Sequence, residues 1–114
     1  MLSKTQRTLV KSAPELWELA DDVTRMEAWM GELVGTPDRV PVHVTDRDPQ
    51  RVLAWRDAAS QRPAARIQLE LAQRGFGTSV SITAEHTRAE RSGADAALER
   101  LLDELGSPGR RPFV

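Results

Sequence analysis

His43 and His86 are the two histidines of the chain and its only side chains whose ordinary pKa lies near neutrality. Each falls at or near a predicted strand. His43 alternates with Val40, Val42 and Val44, which turns it away from the valine side, and both histidines read as surface residues. Neither has a partner at the spacing of a two-histidine helical metal site, so no metal is expected. Arg56, Asp57 and Glu70 would make an acid–base group only if they pointed inward and lost their water. Their alternation turns them outward, where cross-strand pairs contribute about 0.2–1 kcal/mol each. Asp21-Asp22 reads as a helix cap rather than a cation site. Gly75-Phe76-Gly77 falls in a hairpin, not between a strand and a helix N-terminus, so it is no phosphate loop. No nucleophile-elbow motif surrounds the serines. Cysteine is absent, which excludes disulfides, thiolate catalysis and thiolate zinc sites. No catalytic residue and no cofactor is expected.

The elements that would position any site are clearest in the last third. Ile67, Leu69 and Leu71 alternate with Arg66, Gln68 and Glu70, and Val80, Ile82 and Ala84 alternate with Ser79, Ser81 and Thr83. These are two strands with one apolar face each, over Ala65–Ala72 and Ser79–Ala84, joined by a turn at Gln73–Thr78. A helix follows, capped by Ser92, with Ala94, Ala97, Leu98, Leu101, Leu102 and Leu105 on one side. Upstream, Ser3–Lys11 reads as a strand. Ser12-Ala-Pro-Glu15 starts a helix whose apolar side is Leu16, Trp17, Leu19 and Ala20, with Trp17 in the core. A second helix begins near Thr24, lined by Val23, Met26, Trp29, Met30 and Leu33 and ended by Gly35-Thr-Pro37. Val40, Val42 and Val44 mark a strand, and Pro41 puts it at a sheet edge. Asp46–Pro49 reads as a turn, Arg51–Asp57 as a strand with Leu53 and Trp55 on one face, and Ala58–Pro63 as a loop.

The chain has 114 residues, 39% hydrophobic and 29% charged, with a formal net charge of -1. That is one soluble domain, 1–114, able to form its own core, with a flexible tail over 106–114. The charge balance predicts no nucleic-acid partner. No apolar run approaches a membrane span, so no membrane insertion is expected. Met1–Arg7 has no apolar signal core, and the chain reads as cytoplasmic.

Four stretches in this order resemble the START-like, or SRPBCC, superfamily. They are Val10-Lys-Ser-Ala-Pro-Glu-Leu-Trp17, Arg25-Met-Glu-Ala-Trp29, Val44–Trp55, and Ile67–Leu71 followed by Gly77–Thr83. The polyketide cyclase and heat-shock-ATPase activator branch is the most similar. The resemblance implies an α+β helix-grip fold, β-α-α-β-β-β-β-α, with an antiparallel sheet of about five strands wrapped around a long C-terminal helix. Gly31–Arg39 leaves no room for the further hairpin that members usually carry, so the sheet is expected to be trimmed. The resemblance also implies a ligand space between sheet and helix, lined by Trp29, Met30, Trp55, Leu69, Val80, Ile82, Leu98, Leu101 and Leu102. The same stripes would equally make a solid core. The expected function is non-catalytic binding or transport of a small hydrophobic or amphipathic molecule, lipid included. The alternatives are a cyclase/aromatase-like enzyme, or a co-chaperone-like interaction module with little or no cavity, as a monomer or as a homodimer through an exposed sheet edge.

Overall fold

A computed structural model describes residues 2–58, 65–86 and 91–107. The elements are β1 (Leu2–Leu9), α1 (Ala13–Ala20), α2 (Val23–Val34), β2 (Val42–Asp48), β3 (Val52–Asp57), β4 (Arg66–Arg74), β5 (Gly77–Glu85) and α3 (Arg91–Gly106). All five strands pair antiparallel in the order β1-β5-β4-β3-β2. The expected α+β order and strand number are therefore those observed. The loop expected at Ala58–Pro63 lies, beyond Ala58, outside the described residues, as does the expected tail from 108 onward.

Local chemistry sets the boundaries. Ser12 Oγ accepts from the Glu15 backbone N–H, and Pro14 sits in the first turn of α1. Asp22 caps α2, its Oδ1 accepting from the backbone N–H groups of Thr24 (2.9 Å) and Arg25 (3.4 Å). The helix thus starts at Val23, one residue before the expected point. Val23 is consequently exposed rather than part of the apolar side, because the first residue after a cap points out of the bundle. Gly35 ends α2 at φ 86°, with the N–H groups of Gly35 and Thr36 returned to the Gly31 carbonyl. Ser92 lies inside α3, which already runs at Arg91, so it is not the cap; the residues preceding Arg91 are not described.

Two turns are tighter than the sequence predicts. Strand β2 continues through Asp46–Asp48 beyond a bulge between Val44 and Asp46, and the turn shifts to Pro49-Gln50. There the Arg51 N–H donates to the Asp48 carbonyl, and Gln50 takes φ 66°, the type II pattern with proline at its first central position. The last hairpin turns on Gly75-Phe76 alone, since Arg74 already faces Gly77. Gly75 at φ 61° supplies the backbone that a two-residue hairpin needs.

Helix α3 covers the inner face of the sheet. Ala94, Ala97, Leu98, Leu101, Leu102 and Leu105 are all buried, and each leucine contributes about 1.5–3 kcal/mol by leaving water. A polar seam fixes α3 in step with β1. Thr5 Oγ1 donates to Glu99 Oε1 (2.8 Å), Arg7 bridges Glu99 and Asp103, and Lys11 Nζ donates to the Ser107 carbonyl. The hydrogen bond that Arg7 donates to Asp103 raises the Arg7 pKa above its ordinary value; burial opposes the rise, and Glu99 adds to it. Trp17 is half-buried against the core rather than within it, because α1 ends after two turns on the rim of the sheet.

Leu101→Arg places a cation in the buried stripe of α3, and should destabilise the protein by more than about 4 kcal/mol. Urea denaturation measures this; an unchanged midpoint would mean that α3 does not lie on the sheet.

Candidate functional site

The antiparallel register draws one straight rung across the inner face: Val44, Trp55, Ile67, Ala84 and Ser3, one residue from each of β2, β3, β4, β5 and β1. The next inward rung holds Leu53, Leu69, Ile82 and Thr5, and the one beyond adds Leu71, Val80 and Arg7. This places the expected liners of the sheet side by side. All nine of them, Trp29, Met30, Trp55, Leu69, Val80, Ile82, Leu98, Leu101 and Leu102, are no more than 3% exposed and belong to one contiguous apolar cluster. Trp29 of α2 and Trp55 of β3 pack with ring centroids 6.0 Å apart and planes tilted by 35°, within the range of favourable aromatic pairs.

The two indoles differ in polarity. Trp29 Nε1 donates to Glu104 Oε2 at 2.9 Å, at the rim beneath α3. Trp55 Nε1 is fully buried and has no hydrogen-bond partner among the described residues. An unmatched buried donor costs about 1–3 kcal/mol, and such groups are rare enough to require an explanation.

His86 corrects the sequence reading. It is 3% exposed and hydrogen-bonded through Nε2 to Ser3 Oγ at 2.9 Å, with Ser3 itself buried. The residue after β5 continues the inward alternation of Ile82 and Ala84, so His86 turns toward α3 rather than toward water. Local pattern assigned it to the surface because it sits at the strand end; the inward count from Val80 through Ile82 and Ala84 was the available signal. His43 is exposed as expected, opposite Arg56 on the outer face. Glu70 is exposed and Arg56 is half-buried on that outer face, whereas Asp57, two residues beyond Trp55, falls half-buried on the inner side, contrary to its expected outward turn; the acid–base trio is therefore split between the two faces. Asp21 accepts from Arg47 at 2.9 Å and Asp22 caps α2. Among the described residues no cluster of histidine and carboxylate groups could hold a metal ion, and no helix is long and apolar enough to cross a membrane.

A groove of about 520 Å³ lies at the opposite end of the sheet from His86, between the start of α1 and the tips of the β2–β3 and β4–β5 hairpins. Ser12, Pro14, Gln50, Gln73 and Thr78 supply much of its wall, and Phe76 stands fully exposed at its lip. The expected liners do not reach it.

Ser3→Ala removes the buried hydrogen bond to His86 and should cost about 1–3 kcal/mol, whereas His43→Ala should cost under about 0.5 kcal/mol. Chemical denaturation of the two variants separates them; equal small losses would mean that the Ser3–His86 pair faces water.

No protein-family model matches the sequence, and no curated protein matches it. Solved structures do. Protein MLL2253 from Mesorhizobium loti superposes with a TM-score of 0.71 at 16% identity, over 93% of this chain and 94% of the other. The Aha1 dimer from Colwellia psychrerythraea gives 0.65 at 14% identity, over 93% and 96%. CalU16 from Micromonospora echinospora gives 0.60 at 16% identity, over 94% and 76%. At these identities the likeness is one of fold. It is the likeness in fold that the four sequence stretches imply, a helix-grip arrangement shared with the Aha1 dimer and CalU16 structures.

Proposed function

We propose that this protein binds a small, mainly apolar molecule between the sheet and α3, without catalysing a reaction on it. The observation that carries the reading is the Trp55 indole, whose N–H is buried in the middle of the inner face without an acceptor among the described residues. A core that needed only bulk there would be better served by phenylalanine or leucine, which fill space and leave no donor stranded. A ligand with one hydrogen-bond acceptor removes the penalty on binding, and the surrounding Trp29, Met30, Leu69, Leu98 and Leu101 supply apolar contact. Pockets of this kind are apolar with few polar groups that orient the guest. A lipid, a polyketide-like aromatic or another amphipathic metabolite satisfies the same chemistry.

A second reading is an interaction module working as a homodimer through an edge of the sheet. The two edges differ in a way that favours it. Strand β2 is guarded by Pro41, a bulge and the charged run Asp46-Arg47-Asp48, all devices that discourage edge pairing. Strand β1 pairs with β5 across eight residues without a bulge or a proline. The structural neighbour from Colwellia psychrerythraea is a dimer. Sedimentation equilibrium at high micromolar concentration should then show a dimer; a monomer throughout would remove this reading.

Native mass spectrometry of freshly purified protein should reveal a bound organic molecule that is lost on denaturation and depleted in Trp55→Phe. In parallel, adding 2-acetonaphthone, an apolar ketone, should shift the Trp55 indole N–H resonance. A bare chain mass together with an unmoved indole signal would overturn the binding reading. Trp55→Phe should itself leave the unliganded protein equally stable or more so, since it removes a stranded donor while keeping an aromatic ring.

A further inference from the structure

Val10 and Phe76 are the two most exposed large apolar side chains among the described residues, and they stand together. Val10 follows β1, Phe76 lies in the β4–β5 turn, and Gly77 brings them close: a Cβ there would lie 3.4 Å from Val10 Cα. Beside Phe76 runs the groove of about 520 Å³ between the start of α1 and the hairpin tips. We infer that this groove is the docking site of the chain's own residues 108–114, which strap the end of α3 to α1 and the β4–β5 turn.

Lys11 ties the exit of α3 to the groove wall. Its carbonyl accepts from Thr78 Oγ1 at 2.7 Å, and its Nζ donates to the Ser107 carbonyl. Gly106 closes on the same corner, where a Cβ would lie 3.0 Å from Leu9 Cδ2. The chain beyond Ser107 therefore leaves beside Lys11, the neighbour of the groove residue Ser12. Seven extended residues reach at most about 23–25 Å. A segment tethered this closely is present at an effective concentration on the order of millimolar. Modest contacts then hold it, and a free guest must compete with it.

The chemistry of segment and groove agrees. The segment reads Pro108-Gly-Arg-Arg-Pro-Phe-Val114. Pro112, Phe113 and Val114 match the apolar surface of Pro14, Phe76 and Val10, and two facing phenylalanines make a favourable aromatic pair. The two prolines limit the freedom that the segment loses on docking. Among the described residues no charged side chain lines the groove, so it offers no counter-charge to an ionic metabolite. Gln50 and Gln73 in its wall can both donate to and accept from peptide groups. Glu15 and Glu18, exposed on α1, stand as counter-charges for Arg110 and Arg111.

Backbone amide NMR relaxation on the full chain tests this. In the unaltered protein the amides of Arg111 and Phe113 should show order parameters of about 0.85, falling below about 0.6 in Phe76→Ser. Phe76 is fully exposed in a turn, so its replacement leaves the core intact. As an independent arm, Phe113→Ser should move the amide resonances of Ala13, Gln73 and Thr78 and leave those of His43 and Leu53 in place. Order parameters already below about 0.6 in the unaltered chain overturn the inference. Ordered amides indifferent to Phe76→Ser overturn the groove as their site. In a mixture of labelled and unlabelled protein, contacts from Phe113 of one copy to Phe76 of another overturn docking within the chain in favour of a second copy.

Discussion

One face of a five-stranded sheet has to be kept dry, and the leucine stripe of α3 is the longest apolar surface in the chain that can do it. Everything else in the molecule follows from that cover. The stripe alone would let the helix slide, because apolar contact is not directional. Thr5 and Arg7 on the inner face of β1, and Lys11 just after it, prevent this: they meet Glu99, Asp103 and, past the end of α3, Ser107 in order. The pairs are partly exposed and individually weak. Together they set the register of helix against strand, and so determine which residues of α3 lie over each rung. On the other flank, Arg100 meets Glu32 and Trp29 meets Glu104, tying α2 to the same helix.

Within the covered face, polar atoms are few and therefore informative. A donor or acceptor placed there loses water and must find a partner from a short list of neighbours. Trp29 finds Glu104 because it lies at the rim. Ser3 and His86 find each other because both sit where the inner face ends. Trp55, in the interior of the rung between Val44 and Ile67, finds no acceptor among the described residues. The same positional logic that makes the leucines stabilising makes this indole costly, and gives the interior one point of chemical preference.

The turns and edges show how the sheet is bounded. Pro49-Gln50-Arg51 reverse the chain in three residues and Gly75-Phe76 in two, so β2–β3 and β4–β5 are both tight hairpins. The bulge near Thr45 flips the later part of β2, which lets Arg47 lie on the inner side and reach Asp21 at the α1–α2 junction. Edge protection and helix anchoring thus come from one irregularity. The open groove beside Phe76 is a product of the same tight turns, which leave the hairpin tips standing clear of α1.

The sequence by itself determined the element order, the apolar faces of β3, β4, β5 and α3, the caps at Ser12 and Asp22 and the stop at Gly35. These depend on spacing and capping within a few residues, which are visible along the chain. It also carried the helix-grip resemblance, which the superpositions bear out as fold. Tertiary structure alone decided the rest. Whether Asp46–Asp48 is turn or strand depends on a partner strand, Val52–Ala54, and on a bulge that no local pattern announces. Whether His86 meets water depends on Ser3, 83 residues away. That Trp55 lacks an acceptor whereas Trp29 has one depends on where α3 brings Glu104. Burial and hydrogen bonding are properties of neighbours in space, and those neighbours exist only once the five strands are in register beneath the helix.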